Sequence, residues 1–299
     1  MRLHSLSARD KSLFNKYLHL KEHELSAYAF ENIYIWRNLF KIKWQVIEGC
    51  LCVFFQDKFR SFLYLPALGQ APAAKTITKA FEIMDRVNKN KEVSRVENIE
   101  ERDVDFYRGM GLDCLIKSHD YLCLRQDLAD LAGNKFKSKR APFNYFVKHY
   151  DFEYLVFSAR HTKECIGLYK LWMQQRQASS KDKLYQWMLE DGLNSLTTML
   201  DGFRYLNLTG RIVKINGKTK AFTFGFKLNT ETFCILYEIT DLTIKGLAQF
   251  IFKSFCQEQK EFTYINVMDD SGLENLKRVK LSYKPVRLVA SYTARRKDE

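Results

Sequence analysis

The chain has 299 residues, of which 46% are hydrophobic and only four are proline. This length allows one large domain or two of about 150 residues, and the apolar content excludes a largely disordered chain. The net charge of +13 and the pI of about 9.3 favour an anionic partner, such as nucleic acid, a phospholipid headgroup or a phosphate-bearing cofactor.

Neither export, membrane insertion nor metal binding is indicated by the sequence. The N-terminal stretch MRLHSLSARDK lacks the apolar core of a signal peptide. No apolar run approaches the roughly 18 residues that a membrane helix needs. The seven cysteines form no CxxC pair and the six histidines are dispersed, so no zinc site is predicted. We therefore expect a soluble, cytoplasmic protein without a metal.

In the first half of the chain, the hydrophobic pattern predicts two helices, three strands, a helix, a strand, a short helix and a final strand. Gly49 stands in the turn between the first two strands, within WQVIEGCLCVFFQ. The predicted ranges are, in order, 9–20 and 23–39 for the helices, 44–56 for the hairpin, 61–68 for the third strand, 73–88 for the next helix and 94–116 for the remainder.

The second half repeats this order after a helix and a basic connector near residues 126–152. Gly217, in the turn of IVKINGKTKAFTFGF, lies 168 residues after Gly49, and Leu281 lies 169 residues after Leu112. A nearly constant offset of this kind indicates an internal repeat. The predicted ranges are, in order, 161–175 and 181–202, 212–226, 232–239, 243–257 and 263–285, with the final strand starting near Leu281.

Each half is therefore predicted as ααβββαβαβ, an α/β (α+β) unit in which helices flank a mixed sheet. We divide the chain into an N-terminal domain over residues 1–132, a basic aromatic connector over 133–152 and a C-terminal domain over 153–299. The order of elements resembles the Gcn5-related N-acetyltransferase (GNAT) fold, here in tandem.

Two short motifs carry further GNAT resemblance. FYRGMGL at 106–112 looks like the segment after the fifth GNAT strand, and the resemblance implies that Tyr107 is a general acid for the leaving group. TIKGLA at 243–248 looks like the GNAT pyrophosphate loop, in which Gly246 and Ala248 fit the pattern and Thr243 replaces its basic or amide residue. This second resemblance implies that the loop contacts a cofactor.

Nearly the whole chain resembles the family of the phosphatidylglycerol lysyltransferase C-terminal domain (DUF2156), as a soluble member. The resemblance lies in FENIYIW, GNKFKSKRAPFNYF, TDLTIKGLAQFI and INVMDDSGLENLKRVKLSYKP. It implies a tandem GNAT-like fold and transfer of an amino acid from aminoacyl-tRNA to phosphatidylglycerol. The lysyltransferases also carry a multi-span membrane domain, which this sequence does not show.

The connector holds basic residues with aromatic residues between them, a combination that suits a phosphate backbone and stacked bases. Alternation through KFKSK would place its lysines on one face. The alternative is a solvated linker whose aromatic side chains are buried. The predicted phosphate- or nucleic-acid-binding residues are Lys135, Lys137, Lys139 and Arg140, with Lys148 further along.

A second anion site is predicted at the helix starting near Thr243, where free N–H groups and the helix dipole favour a phosphate. Gly246 would allow close approach, and Lys245 would add charge. The alternative is that Asp241 and Thr243 only cap this helix.

Four residues are candidates for catalysis. Asp269 and Asp270 follow a strand at its C-terminal end, where open α/β sheets bind ligands. One could act as a general base or bind a substrate ammonium, and the other is expected to be the N-cap of the next helix. Tyr283 and Tyr107 are candidate proton donors, although a tyrosine at the start of a buried strand is ordinarily part of the core.

We conclude from the sequence that the protein is an aminoacyl- or acyltransferase whose donor is aminoacyl-tRNA or acyl-CoA, with tRNA fitting the charge better. Two alternatives stay open. The first is a CoA-dependent N-acyltransferase acting on a small amine or peptide. The second is a non-catalytic protein that binds nucleic acid or an anionic surface.

Overall fold

The computed structural model describes residues 3–70, 73–178 and 182–297. These residues pack as two compact units, described separately below. Unit 1 consists of Met1–Asp120, Asp269–Gly272 and Leu288–Glu299. Unit 2 consists of Tyr121–Met268 and Leu273–Arg287.

Strands and helices alternate along the chain in the order expected from the repeat. The strands are β1 His4–Ser5, β2 Lys41–Ile47, β3 Cys50–Gln56, β4 Ser61–Leu63, β5 Arg95–Glu100, β6 Leu112–Leu124, β7 Glu153–Val156, β8 Thr209–Ile215, β9 Lys218–Lys227, β10 Thr232–Thr240, β11 Tyr264–Asn266 and β12 Arg287–Arg296. The α-helices are α1 Lys11–Leu18, α2 Phe30–Tyr34, α3 Ala74–Val87, α4 Val104–Gly109, α5 Arg125–Asp130, α6 Lys137–His149, α7 Thr162–Ala178, α8 Lys183–Gly202, α9 Leu247–Glu258 and α10 Glu274–Leu281.

The sheet of unit 1 runs in the order β1-β2-β3-β4-β5-β12-β6, where β6 contributes its first part. Strands β4 and β5 are parallel, with Leu63 opposite Val96. Strand β3 is buried along nearly its whole length, as expected for a central strand covered on both faces.

The sheet of unit 2 runs in the order β6-β11-β10-β9-β8-β7, where β6 contributes its last residues. Strands β10 and β11 are parallel, and β9 pairs antiparallel to β10 along most of its length. Helix α9 packs on this sheet with Phe252, Phe255 and Cys256 in one apolar cluster and Leu247 and Phe250 in a second.

Both halves contain the predicted hairpin. Glu48 and Gly49 join β2 to β3 with φ values of 50° and 77°, and Asn216 and Gly217 join β8 to β9 with φ values of 50° and 72°. Two consecutive positive φ angles define the type I′ turn that matches the twist of a two-residue hairpin. The prediction of a glycine turn at each place is confirmed.

Several predicted boundaries are wrong. The helix predicted over 23–39 contains only α2, because most of this buried stretch forms turns. The strand predicted to start near Leu281 begins at Arg287, since α10 continues through Leu281. The extended KFKSK segment is wrong as well, because Asn134–Phe136 is a 3₁₀ turn that leads into α6. The short strands β1 and β7 were not predicted.

Each unit takes residues from the half of the chain that mainly builds the other unit. Strand β12 pairs antiparallel with β5 in unit 1, and the last residues of β6 pair antiparallel with β11 in unit 2. The predicted ranges 1–132, 133–152 and 153–299 did not include this. Those ranges remain a prediction about the repeat rather than about packing.

Candidate active site around Glu238

A β-bulge in β10 determines which face of the sheet Glu238 occupies. Ile235 pairs with Gly225 and Tyr237 pairs with Phe224, so Leu236 is the extra residue. In a regular strand, Tyr237 would share the face of Ile235. The extra residue moves Tyr237 to the opposite face, so Glu238 lies on the face of Ile235 instead. Bulges commonly redirect side chains in this way near active sites.

Contacts on the two faces agree with this shift. Tyr237 points to α8, where its hydroxyl bonds to Ser195 Oγ and donates to the carbonyl of Gly192 at 3.3 Å. The charge of Glu238 instead acts on Cys256 and Tyr283, which belong to the apolar cluster under α9. Glu238 is thus a carboxyl group directed at an apolar cluster.

Strands β10 and β11 diverge beside Glu238. They pair only over Thr232–Cys234 and Tyr264–Asn266. Val267 and Met268 then bond to Tyr121 of β6 rather than to β10, while β10 continues to Thr240 along β9. A gap between two parallel strands at their C-terminal ends is where open α/β sheets accept ligands.

The Glu238 carboxyl is poised for proton transfer. Its Oε2 atom is buried and has no hydrogen-bond partner among the described residues. Burial in apolar surroundings raises its pKa from 4.5 to about 8. A carboxyl group with such a pKa is protonated at neutral pH, so it can donate a proton and later take one back. A strongly shifted, unpaired carboxyl marks a functional-site candidate.

Tyr283 and Lys139, both predicted site residues, contact each other, and Tyr283 lies close enough to Glu238 for the carboxylate charge to act on its phenol. The ring of Tyr283 packs against Phe252 at 4.5 Å, and Lys139 Nζ lies 4.3 Å from the centre of the Tyr283 ring. Burial, and then the charge of Glu238, raise the pKa of Tyr283, so its phenol stays protonated. Burial lowers the pKa of Lys139.

Glu238 was not among the residues predicted from the sequence, although its position in the sequence is unusual. It is the only charged residue in the otherwise apolar and hydroxylic stretch TFCILYEIT. An isolated acid in a buried strand is unusual. The bulge that directs it to the α9 face depends on pairing with β9, which sequence alone does not define.

The predicted phosphate loop before α9 already has partners inside the protein. Asp241 Oδ1 accepts bonds from the Thr243 amide at 3.0 Å and its hydroxyl at 2.7 Å, and Oδ2 pairs with Lys220 Nζ at 2.8 Å. Burial opposes ionisation of Asp241, but these bonds outweigh it and lower its pKa. An ionised carboxylate in the loop repels a phosphate. Helix α9 begins at Leu247 with Gly246 as N-cap, so the expectation that Asp241 or Thr243 caps it is wrong.

The absence of a side chain at Gly246 allows helix α6 to pack closely against it. Its φ is +84°, and a Cβ added there would lie 2.0 Å from the carbonyl oxygen of Pro142 and 3.0 Å from Cβ of Phe146, both in α6. The rings of Phe146 and Phe250 of α9 pack in a tilted arrangement with their centres 4.9 Å apart. Lys245 Nζ lies over the ring of Tyr145 at 4.3 Å. Helix α6 therefore covers the position at which a GNAT pyrophosphate loop would hold its ligand.

The basic connector residues have different environments. Lys135 pairs with Asp127 at 2.6 Å, and Arg140 Nη1 bonds to the carbonyls of Leu131 and, at 3.0 Å, of Gly133. Arg140 thereby satisfies backbone oxygens beyond the end of α5. Lys137 and Lys148 are exposed on α6, eleven positions apart and on one stripe of the helix.

Asp269 and Asp270 stabilise a tight turn that belongs to unit 1. Asp269 Oδ1 accepts a bond from the Ser271 amide at 3.1 Å, and Asp270 Oδ1 accepts one from the Gly272 amide at 2.9 Å. Helix α10 follows Leu273 as N-cap, so the expectation that one aspartate caps it is wrong. Their catalytic role stays a prediction.

Tyr107 lies in α4 of unit 1 and is 2% exposed. Burial, and then the charge of Asp103, hold its pKa well above the usual value of 10. Its role as a general acid stays a prediction. In the described part of the chain, no group of three His, Cys, Asp or Glu side chains is arranged to hold a metal ion. No helix in the described ranges is both long enough and apolar enough to cross a bilayer.

Comparison of the fold with solved structures confirms two GNAT-like units in tandem. A tandem GNAT protein from the clavulanic acid biosynthesis pathway aligns with a TM-score of 0.52 at 9% identity, over 100% of this chain and 99% of that chain. The class is therefore a mixed α/β protein of acyltransferase-like fold.

The sequence family is more specific. The model of the family "Phosphatidylglycerol lysyltransferase, C-terminal" matches residues 19–295, and the chain belongs to this family. The resemblance proposed from the sequence is confirmed, and it places the chain among acyl- and aminoacyl-transferase-like proteins.

Two further structures are similar along the whole chain. A conserved protein of unknown function from Bacteroides thetaiotaomicron aligns with a TM-score of 0.87 at 26% identity, covering 99% of this chain and 100% of that one. L-PGS from Bacillus licheniformis aligns with a TM-score of 0.66 at 16% identity, covering 99% and 93%. No curated protein matches the sequence.

Proposed function

We propose that the protein is an aminoacyltransferase that takes an aminoacyl ester carried on tRNA as donor, with Glu238 as its general acid and base. The observation that carries this proposal is the Glu238 carboxyl, whose buried Oε2 has no hydrogen-bond partner among the described residues and whose pKa is about 8, near the point where β10 and β11 stop pairing.

The proposed reaction assigns each proton. An acceptor hydroxyl or amine attacks the carbonyl carbon of the aminoacyl ester, and the bond from that carbon to the ribose oxygen breaks. Protonated Glu238 donates its proton to the departing ribose oxygen. Its carboxylate then takes the proton that the acceptor loses, which regenerates the enzyme. Proton transfer of this kind contributes roughly 10²–10⁴-fold to a rate, and the rest comes from positioning.

The surroundings of α9 favour this donor over acyl-CoA. A CoA pyrophosphate in the GNAT manner needs free amides and close backbone approach at the start of this helix. In this protein, Pro142 and Phe146 of α6 approach Gly246 closely, and ionised Asp241 holds the preceding turn. We infer that the donor is held elsewhere, through an RNA backbone.

Charge supports an RNA carrier. The chain has a net charge of +13, and Lys137 and Lys148 expose their ammonium groups along α6. On the same helix, Tyr145 and His149 stack at 4.1 Å. Such a surface would contact phosphates with little sequence preference.

The acceptor we propose is the glycerol hydroxyl of phosphatidylglycerol, by extension from the activity for which the family is named. The test is transfer of a radiolabelled amino acid from aminoacyl-tRNA to lipid in vesicles that contain phosphatidylglycerol. Individual aminoacyl-tRNAs, beginning with lysyl-tRNA, are supplied in turn.

The decisive variant is Glu238→Gln, with Glu231→Gln as matched control because Glu231 is exposed immediately before β10. We expect Glu238→Gln to lower the transfer rate about 100-fold or more and Glu231→Gln to leave it unchanged. Full activity of Glu238→Gln would overturn the catalytic assignment. Thermal stabilisation by acetyl-CoA but not by tRNA would favour the CoA-dependent alternative, and tRNA binding without transfer to any acceptor would favour a non-catalytic binding protein.

A further inference from the structure

Unit 1 contains a cavity of about 170 Å³ that the proposed reaction at Glu238 does not use. One wall is Pro66–Gly69, which is fixed to β3 because Leu68 and Leu51 exchange two backbone hydrogen bonds of 2.8 and 2.9 Å. The opposite wall comes from the start of α4 and the segment after α1.

The base of the cavity is rigid. The ring of His23 stacks on Tyr28 at 4.0 Å, and His23 Nδ1 bonds to Glu100 Oε2 at 2.9 Å. The other oxygen of Glu100 accepts the Glu24 amide at 3.1 Å, and the hydroxyl of Tyr28 donates to the carbonyl of Asn98 at 2.8 Å. Side chains held by such second partners keep their geometry before a ligand arrives.

The carboxyl group of Asp103 is not used to cap the helix that follows it. It is the N-cap residue of α4, yet its side chain makes no capping hydrogen bond. An N-cap aspartate ordinarily accepts an amide from the first turn. Asp103 instead lines the cavity, close enough to Tyr28 and Tyr107 that its charge raises the pKa of both phenols.

Aromatic rings accompany this carboxylate. Tyr17, Tyr28, Phe106 and Tyr107 all line the cavity, and Phe106 meets Tyr107 edge to face at 5.2 Å. Aromatic faces attract an organic ammonium, and a nearby carboxylate adds a direct ion pair.

The lining also carries a positive charge. Lys21 is exposed and lines the cavity with His23, so a carboxylate could bind there while an ammonium binds at Asp103. The remaining lining is apolar. We propose that this cavity binds a free α-amino acid, with its ammonium at Asp103, its carboxylate at Lys21 and its apolar or aromatic side chain against Pro66–Gly69.

The volume sets the size of the ligand. An apolar cavity of about 150 Å³ holds a benzene molecule. A cavity of about 170 Å³ therefore accepts a molecule with one ring or a short branched chain, part of which extends toward the open mouth. A nucleotide or a CoA moiety is too large.

The test is isothermal titration calorimetry with the full-length chain and three probes, namely L-phenylalanine, phenethylamine and 3-phenylpropionate. The amine lacks the carboxylate and the acid lacks the ammonium. We expect the amino acid to bind at least tenfold more tightly than either analogue. Equal binding of all three, or no binding of L-phenylalanine and of L-leucine, overturns the proposal.

Matched variants locate the site. Asp103→Asn is expected to weaken binding of L-phenylalanine at least tenfold, whereas Asp105→Asn is expected to leave it unchanged, because Asp105 lies in the same helix with its side chain 94% exposed. Lys21→Ala is compared in the same way with Lys16→Ala, an exposed lysine outside the lining. Unchanged binding in Asp103→Asn and Lys21→Ala overturns the assignment.

This inference does not depend on the reaction at Glu238. Glu238→Gln should bind L-phenylalanine like the wild type, even where it transfers no amino acid. Loss of binding in Glu238→Gln, with binding retained in Asp103→Asn, would place the amino acid at Glu238 and overturn the proposal for unit 1.

Discussion

Units 1 and 2 share an order of elements, but an acidic side chain in the sheet of each has opposite surroundings. In unit 1, Glu97 pairs with Lys117 at 2.7 Å and with Arg95 at 2.5 Å. In unit 2, Glu238 has no partner for Oε2 among the described residues. The first acid belongs to a paired network, and the second faces an apolar cluster.

The two environments move the pKa values in opposite directions. Burial opposes the ionisation of Glu97, but Lys117 and Arg95 outweigh it and lower its pKa. Burial alone acts on Glu238 and raises its pKa to about 8. A paired acid stabilises a fold, whereas an acid kept protonated at neutral pH is available for chemistry at a cost in stability. This difference supports the proposal that Glu238, rather than Glu97, takes part in proton transfer.

The largest expected effect is the loss of the paired acid. Glu97→Gln should lower the free energy of unfolding by about 4 kcal/mol, because Arg95 and Lys117, both partly buried, lose the carboxylate that pairs with them. Glu101→Gln, at an exposed neighbouring position, is the control and should change little. Urea denaturation at pH 7 measures both.

The pH dependence of this loss tests its origin. Because the folded pKa of Glu97 is lowered, its contribution is present above the unfolded pKa of 4.5 and is lost as the pH falls through the folded value. The wild type and Glu97→Gln should therefore converge in stability once the pH falls below the folded pKa of Glu97. A difference that persists there would assign the effect to packing.

The second effect concerns the closure of α6 over α9. Gly246→Ala combines a strained φ of +84° with contact against Pro142 and should destabilise by about 3 kcal/mol. Gly217→Ala has a φ of +72° and no atom within 4 Å of its Cβ, so it should cost only about 1 kcal/mol. Equal losses of stability in thermal denaturation would mean that α6 does not block close approach to Gly246. Acyl-CoA would then again be a candidate donor.

The third effect reverses the sign seen at Glu97. Because the folded pKa of Glu238 is raised to about 8, its protonated form is favourable at low pH and stability falls as the pH rises from 4.5 to 8. The slope should approach about 1.4 kcal/mol per pH unit. Glu238→Gln should remove this slope between pH 6 and pH 7, as measured by urea denaturation. An unchanged slope would show that Glu238 is not the titrating group.

The smallest effect is on RNA affinity. Lys137→Ala and Lys148→Ala should each weaken tRNA binding several-fold at most, and should reduce the slope of log K against log salt by about 0.7–0.9. Lys135→Ala is the control, because Lys135 already pairs with Asp127 at 2.6 Å. Filter binding at three salt concentrations measures the slopes. A larger loss of tRNA affinity in Lys135→Ala would contradict binding along the stripe on α6.

Local patterns were sufficient for some elements and not for others. The glycine turns at Gly49 and Gly217 were predictable because a two-residue hairpin needs positive φ angles at fixed positions. The prediction of a helix over 23–39 was wrong because the apolar residues of this stretch are buried in turns rather than along one helical face. Leu281 was assigned to a strand because its repeat partner, Leu112, begins β6.

The candidate site was also predicted only in part from local patterns. Lys139 and Tyr283 could be named from charge, aromatic content and repeat position, and they do lie together. Glu238, whose charge acts on Tyr283, could not be identified from its sequence position. Alternation along β10 places it on the wrong face, and only the bulge against β9 corrects this.

The sequence by itself determined the family, the repeated order of elements and the basic character of the protein, because these depend on residue types and their spacing. Only the tertiary structure decided the pairing of β12 in unit 1, the closure of α6 over Gly246 and the burial of Glu238 Oε2. Each of these depends on segments far apart in the chain, since a pKa or a close approach is determined by what packs around a residue.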